Sequence, residues 1–124
     1  MSAEEFRAAI ESGDHEAAVR MLADGVTFHS PIVHRAYEGR EAVAPVLAGV
    51  ATVFEDFRYT GEYTSTDGAA GSILTFSCRV GERELEGVDI LRFGPDGLIS
   101  DFTVMVRPYS AATELRQRMA ALLG

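Results

Sequence analysis

An aspartate in the middle of an apolar stretch is the residue of this chain best placed to do chemistry. Asp89 lies in Glu86-Gly87-Val88-Asp89-Ile90-Leu91-Arg92-Phe93, which is followed by Gly94-Pro95-Asp96-Gly97 and by the return Leu98 to Arg107. Pro95 suits the second position of a type I turn, Asp96 and Gly97 suit the next two, and alternating residues flank them, so the segment predicts a long β-hairpin. Pairing Phe93 with Leu98 sets Leu91 opposite Ser100 and Asp89 opposite Phe102. Because strand side chains alternate with period two, Asp89, Leu91, Phe102, Val104 and Val106 then share one face. A carboxylate there must be neutral, paired or functional, since burying an isolated charge is too costly. If protonated, it can donate a hydrogen bond to a carbonyl; if ionised, it can remove a proton from carbon. The alternative is a structural acid that holds a neighbouring tyrosine or backbone amide.

Either chemical role needs a second polar group, for which Tyr59, Tyr63, His29 and Ser30 are the candidates. His29 and Ser30 end a short strand, Val26 to His29, which Pro31 stops. If Phe28 points inward, His29 points outward. Residues 32 to 38 read as an irregular loop carrying His34, Arg35 and Tyr37, a composition found both at cavity rims and in ordinary loops. No metal is expected, because His15, His29 and His34 lack the close helical pairing of a metal site. The single cysteine, Cys78, excludes an intrachain disulfide and a cysteine cluster, and with no basic neighbour in sequence it reads as inert core.

These groups have to be positioned by the rest of the chain. Phe6 and Ile10 share a face of a helix over Ala3 to Glu11 that ends at Gly13. Asp14 caps a second helix carrying Ala17, Ala18, Met21 and Leu22 inward, with Asp24-Gly25 as its close. A third helix follows Gly39, with Val43, Val46, Leu47, Val50 and Phe54 on one side and Pro45 tolerable only near its first turn. Four strands then form an antiparallel meander, Phe57 to Thr66, Ser72 to Val80, Arg83 to Phe93 and Leu98 to Arg107. Asp67-Gly68 fits a type I′ turn pairing Thr66 with Ala69, and Gly81-Glu82 a type II′ turn pairing Val80 with Arg83. Carried through, these registers place Phe57, Tyr59, Tyr63, Leu74, Phe76, Cys78 and Leu85 on the face of Asp89, which the helices should cover. The other face carries Ile73, Val88, Ile90, Ile99, Thr103 and Met105, with Arg92 and Asp101 near enough to pair. It is too apolar for plain solvent, which points to a homodimer through this outer face. After Pro108 a last helix sets Leu115, Met119 and Leu122 on one stripe.

The 124 residues, 47% hydrophobic, fit one domain spanning 1–124. A net charge of −8 argues against nucleic acid or an anionic membrane as partner. All eleven basic residues are arginine. The acidic start, Met1-Ser2-Ala3-Glu4-Glu5, lacks the positive charge of a signal peptide, and no apolar run approaches a membrane span, so a soluble, cytoplasmic protein is expected.

The short strand ending in Ser30-Pro31, the helix opening Gly39-Arg40-Glu41-Ala42, and a meander carrying Gly87-Val88-Asp89-Ile90-Leu91-Arg92-Phe93 and Met105-Val106-Arg107-Pro108 resemble the SnoaL-like branch of the nuclear transport factor two superfamily. The resemblance covers nearly the whole chain. It implies an α+β cone, a curved antiparallel β-sheet wrapped around N-terminal helices with a C-terminal helix, and a pocket for a hydrophobic small molecule. Phe6, Phe28, Tyr59 and Tyr63, with Leu74, Phe76, Phe102 and Val104, should surround it, and Ser30 and His34 should stand at its edge.

In the ketosteroid isomerases of this superfamily, a proton-shuttling aspartate precedes the proline that ends the first strand, a phenol lies on the first helix, and a protonated aspartic acid lies on the penultimate strand. Those places correspond to Ser30, Phe6 and Asp89, so only the third group is matched. The arginine-flanked aspartate pair of limonene-epoxide hydrolases has no counterpart, since no Arg-x-Asp triplet occurs. The resemblance to polyketide cyclases leaves Asp89 as the acid–base group, with His29 or His34 as helper and no cofactor. Two functions follow, a proton-transfer isomerase, cyclase or dehydratase, or a non-catalytic ligand-binding or dimerisation module of the same fold.

Overall fold

The computed structural model describes residues 3–123. Its helices are α1 (Ala3–Glu11), α2 (His15–Arg20), α3 (Arg40–Val53) and α4 (Tyr109–Leu123), and its strands are β1 (Leu22–His29), β2 (Tyr37–Glu38), β3 (Glu55–Thr64), β4 (Gly71–Val80), β5 (Arg83–Phe93) and β6 (Ile99–Arg107). Together they form an α+β fold in which a curved six-stranded sheet, in the order β2-β1-β6-β5-β4-β3, packs one face against the helices.

The signals between the first two helices hold, whereas Asp24-Gly25, expected to close the second helix, lies inside β1. Asp14 accepts a hydrogen bond from the Ala17 N–H at 3.1 Å and caps α2, one residue after Gly13 turns the chain at φ 74°. Several boundaries differ from expectation: β1 begins at Leu22 rather than Val26, and β3 runs over Glu55–Thr64 rather than from Phe57 to Thr66. The second helix stops at Arg20, because Met21 caps it and Leu22 already pairs with Ile99 as the first residue of β1. Tyr37 and Glu38, expected in a loop, form the edge strand β2 against Phe28 and Thr27. Pro45 falls in the second turn of α3, on its exposed side, and has no N–H to offer the Glu41 carbonyl one turn earlier. Helix α4 lies close against α3 at Gly49, where an added Cβ would sit 3.1 Å from the Met119 methyl.

The sheet registers determine what reaches the interior. Val80 pairs with Arg83 across Gly81, which adopts φ 62° as a type II′ turn requires. In the long hairpin, Gly97 N–H donates to the Gly94 carbonyl at 2.9 Å, closing the expected turn. Beyond it Phe93 faces Ile99 rather than Leu98, and a further one-residue shift at Ser100 leaves Asp89 opposite Val104 rather than Phe102. Two single shifts add to two, so every side chain beyond Ser100 keeps the face it was assigned. Ile99, between the shifts, is the exception and is fully buried instead of lying on the outer face.

On β3 the outcome is the opposite. Tyr59 pairs with Phe76 as expected, but a single irregularity between Tyr59 and Gly61 sets Tyr63 opposite Ile73, and the loop from Ser65 to Ala70 replaces the two-residue turn. Tyr63 therefore projects from the outer face, 64% exposed. Arg92 lies directly opposite Asp101, yet the ion pair expected between them does not form; Asp101 Oδ2 is instead 3.2 Å from His29 Nε2, and its Oδ1 accepts from Thr103. Strand β1, parallel to β6, brings that histidine alongside. No helix among the described residues is long and apolar enough to cross a membrane.

Candidate functional site

Asp89 is the one buried charged side chain among the described residues, 6% exposed. Period two along β5 turns it inward between Gly87 and Leu91, and the Tyr59 hydroxyl donates to its Oδ2 at 2.9 Å. Burial removes the water that would solvate the anion and lifts the carboxyl up to about 7, while the Tyr59 hydrogen bond pulls the other way. Burial holds the Tyr59 phenol well above its ordinary range, and the nearby Asp89 carboxylate adds to the effect. Arg7, on α1, places its guanidinium carbon 5.8 Å from the Tyr59 ring centroid. No buried side-chain oxygen among the described residues lacks a hydrogen-bond partner, and no side-chain hydrogen bond engages Asp89 Oδ1. That oxygen therefore reaches accessible space, and the space beside Asp89 is a cavity.

The cavity has a volume of about 420 Å³ and lies between the inner sheet face and the helices. Phe6, Phe28 and Phe102 form one wall, with Phe102 edge-on to Phe6 at 5.5 Å and to Phe28 at 5.2 Å. Phe54, Phe57, Tyr59 and Phe76 form another, closed by a 4.9 Å edge contact between Phe57 and Tyr59. Val104 and Ser30 also line it. Ser30 Oγ accepts the backbone N–H groups of Ile32 at 3.0 Å and Val33 at 3.3 Å, which leaves its own hydrogen free to be donated.

Four of the residues expected around the site lie elsewhere. His29 leaves β1 on the face opposite Phe28 and is engaged with Asp101, so it cannot assist Asp89. His34 is exposed on the loop and does not line the cavity. Tyr63 is turned outward by the β3 irregularity, and Leu74 is fully buried in the core, away from the cavity surface. Cys78 is also buried, and its thiol is pushed up to about 12 by the loss of solvent. No three His, Cys, Asp or Glu side chains among the described residues stand together as metal ligands.

Other lining residues were not anticipated. Val46, Leu47, Val50 and Phe54 were legible as an apolar helical stripe, but the stripe alone does not say whether it meets protein or a cavity. His15, at the start of α2, and Arg116, on α4 beside Leu115, line the cavity without any signal in their local sequence.

A family model described as a SnoaL-like domain matches residues 3–102. The chain belongs to the SnoaL-like domain family. This SnoaL-like chain is 43% identical to a steroid delta-isomerase from Pseudomonas aeruginosa, with a TM-score of 0.91 and 98% of this chain and 88% of that one covered. It is 35% identical to an uncharacterised bacterial protein with a cystatin-like fold from Silicibacter pomeroyi, with a TM-score of 0.87, covering 96% and 82% respectively. A Mycobacterium tuberculosis protein solved in complex with estradiol-17beta-hemisuccinate shares the fold at 17% identity and a TM-score of 0.65, covering 86% and 95%. No curated protein matches the sequence.

Proposed function

We propose that this SnoaL-like protein binds an apolar, carbonyl-bearing small molecule in the cavity and moves a proton on it, with Asp89 as the acid–base group. The observation that carries the reading is the placement of Asp89, the one buried charged residue among those described, with Oδ2 held by Tyr59 and Oδ1 toward an apolar cavity of ligand size. A carboxyl near 7 both takes and returns a proton at neutral pH, the condition a shuttling group must meet. Asp89 would remove a proton from the carbon next to the carbonyl and deliver it further along the conjugated enolate. The Ser30 hydroxyl is the group free to donate to the enolate oxygen. No electron changes hands, so no redox cofactor is called for. The likeness at 43% identity to a steroid delta-isomerase supports this reaction class and ketones of steroid size.

A second reading is favoured by one residue. Ser30 stands where the isomerase resemblance puts a carboxylate base, which supports binding without turnover. Ultraviolet assay of β,γ-unsaturated steroid ketones for conjugated product, with wild type and Asp89→Asn, separates the two. Turnover lost in Asp89→Asn while ligand binding is kept supports catalysis. Binding without turnover in both supports the second reading, and no binding in either overturns both.

We further propose that a second copy of the chain covers the outer sheet face. Val88 lies opposite Met105 there and Ile90 opposite Thr103, and Met105 is 56% exposed, which leaves an apolar strip unaccounted for by a monomer.

A further inference from the structure

We infer that the molecule the cavity takes carries an anionic group, a carboxylate in chemical class, at the end away from its carbonyl, and that Arg116 receives it. This deepens the ligand-binding reading above and rests on it.

The charged and titratable composition of the lining carries the inference. The chain has 19 acidic and 11 basic residues, yet apart from the buried Asp89 no acid lines the cavity, whereas Arg116 and His15 do. Arg116 is exposed, as are Val33, Ala51 and Ala120 of the same lining, whereas Asp89 is buried, so Arg116 belongs to the solvent side of the cavity. Among the described residues Arg116 makes no ion pair and no side-chain hydrogen bond, in contrast to Arg118 on the same helix, which Glu114 holds at 2.8 Å. Its neighbours along α4 that share the lining, Leu115, Met119 and Ala120, are apolar and offer the guanidinium nothing. A guanidinium presents a planar fork of N–H donors that matches a carboxylate. A ligand whose apolar body fills the cavity and whose carbonyl meets Asp89 would bring its far end toward this guanidinium, where an anion stays partly in water and loses little solvation.

The test compares testosterone hemisuccinate, its methyl ester and testosterone by calorimetric titration of the purified full chain at low salt. The free acid should bind roughly three- to fivefold more tightly than the ester, the scale of an exposed ion pair. Added salt should narrow the gap, Arg116→Met should close it, and Arg116→Glu should make the ester the better ligand. Equal binding of acid and ester by wild type, or a preference that survives in Arg116→Met or in high salt, overturns the anionic end and leaves the cavity reading standing. Failure of all three compounds to bind overturns both.

Discussion

Tyr59 reaches over an entire strand to hold Asp89. Tyr59 lies on β3 opposite Phe76 of β4, and Asp89 lies on β5 opposite Leu74 of β4, so the 2.9 Å hydrogen bond spans two strand spacings. Those spacings total roughly 9.5 Å, which a long phenol and a short carboxylate bridge together. The pair thus ties β3 to β5 above β4 and fixes which carboxylate oxygen is left for the cavity.

The first prediction concerns stability and pH. Burial lifts Asp89 to about 7, against roughly 3.9 for an aspartate in an unfolded chain. Below roughly 3.9 both states carry the proton. Between there and about 7 only the unfolded chain ionises, so the folded state should lose stability as pH rises, by on the order of 4 kcal/mol once both are ionised. Asp89→Asn removes this dependence. Urea unfolding at about pH 5 and about pH 8 should show wild type falling relative to the variant, and parallel behaviour would refute a buried neutral acid.

The second concerns the phenol. Because the Tyr59 hydrogen bond favours the ionised carboxyl, Tyr59→Phe should raise Asp89 further and cost about 1 kcal/mol of stability. Carbon-13 NMR titration of the Asp89 carboxyl reads the shift directly. A downward movement, or none, would show that the two groups do not interact in solution.

A third prediction uses Gly87, whose missing side chain makes room for an aromatic ring. A Cβ there would lie 2.4 Å from Phe76 Cζ and 2.7 Å from the Met105 carbonyl oxygen. Gly87→Ala should displace Phe76 into the cavity and destabilise the fold by about 1–3 kcal/mol. Thermal melting together with ligand titration checks it, and a variant that melts and binds like wild type would contradict the close packing described here.

The fourth addresses assembly. Wild type should sediment as twice the 13.4 kDa chain, and Met105→Glu, which sets a charge opposite Val88, should sediment as the chain alone without loss of helix signal. A monomeric wild type at micromolar concentration would remove the second copy from the outer face.

How much of this was legible in the sequence depended on parity. The inward orientation of Asp89 needed only alternation along β5 and survived a two-residue error in pairing, because two steps restore a face. Tyr63 needed the register to hold past Thr60, where one step was enough to turn it outward. Nothing in Tyr59-Thr60-Gly61 announces that irregularity beyond a glycine, which also occurs in regular strands. The engagement of His29 with Asp101 was out of reach for a different reason. It depends on β1 lying parallel to β6, a long-range pairing that short turn motifs cannot encode. The helical part of the cavity was visible as an apolar stripe, but the space it faces is set by how the sheet curves away from it.

That parallel pairing also orders events in time. His29 and Asp101 are 72 positions apart in the chain, whereas β3 to β6 are joined by turns and short loops and can zip up locally. Closing a long loop is entropically costly and slow, so the meander should gain amide protection before β1 does in pulse-labelled hydrogen exchange. Until β1 docks, Phe102 lacks Phe28 as its edge-on neighbour and the inner sheet face is open. The nascent chain would therefore pass through a stage that presents an aromatic surface to other chains, a stage at which aggregation competes with folding.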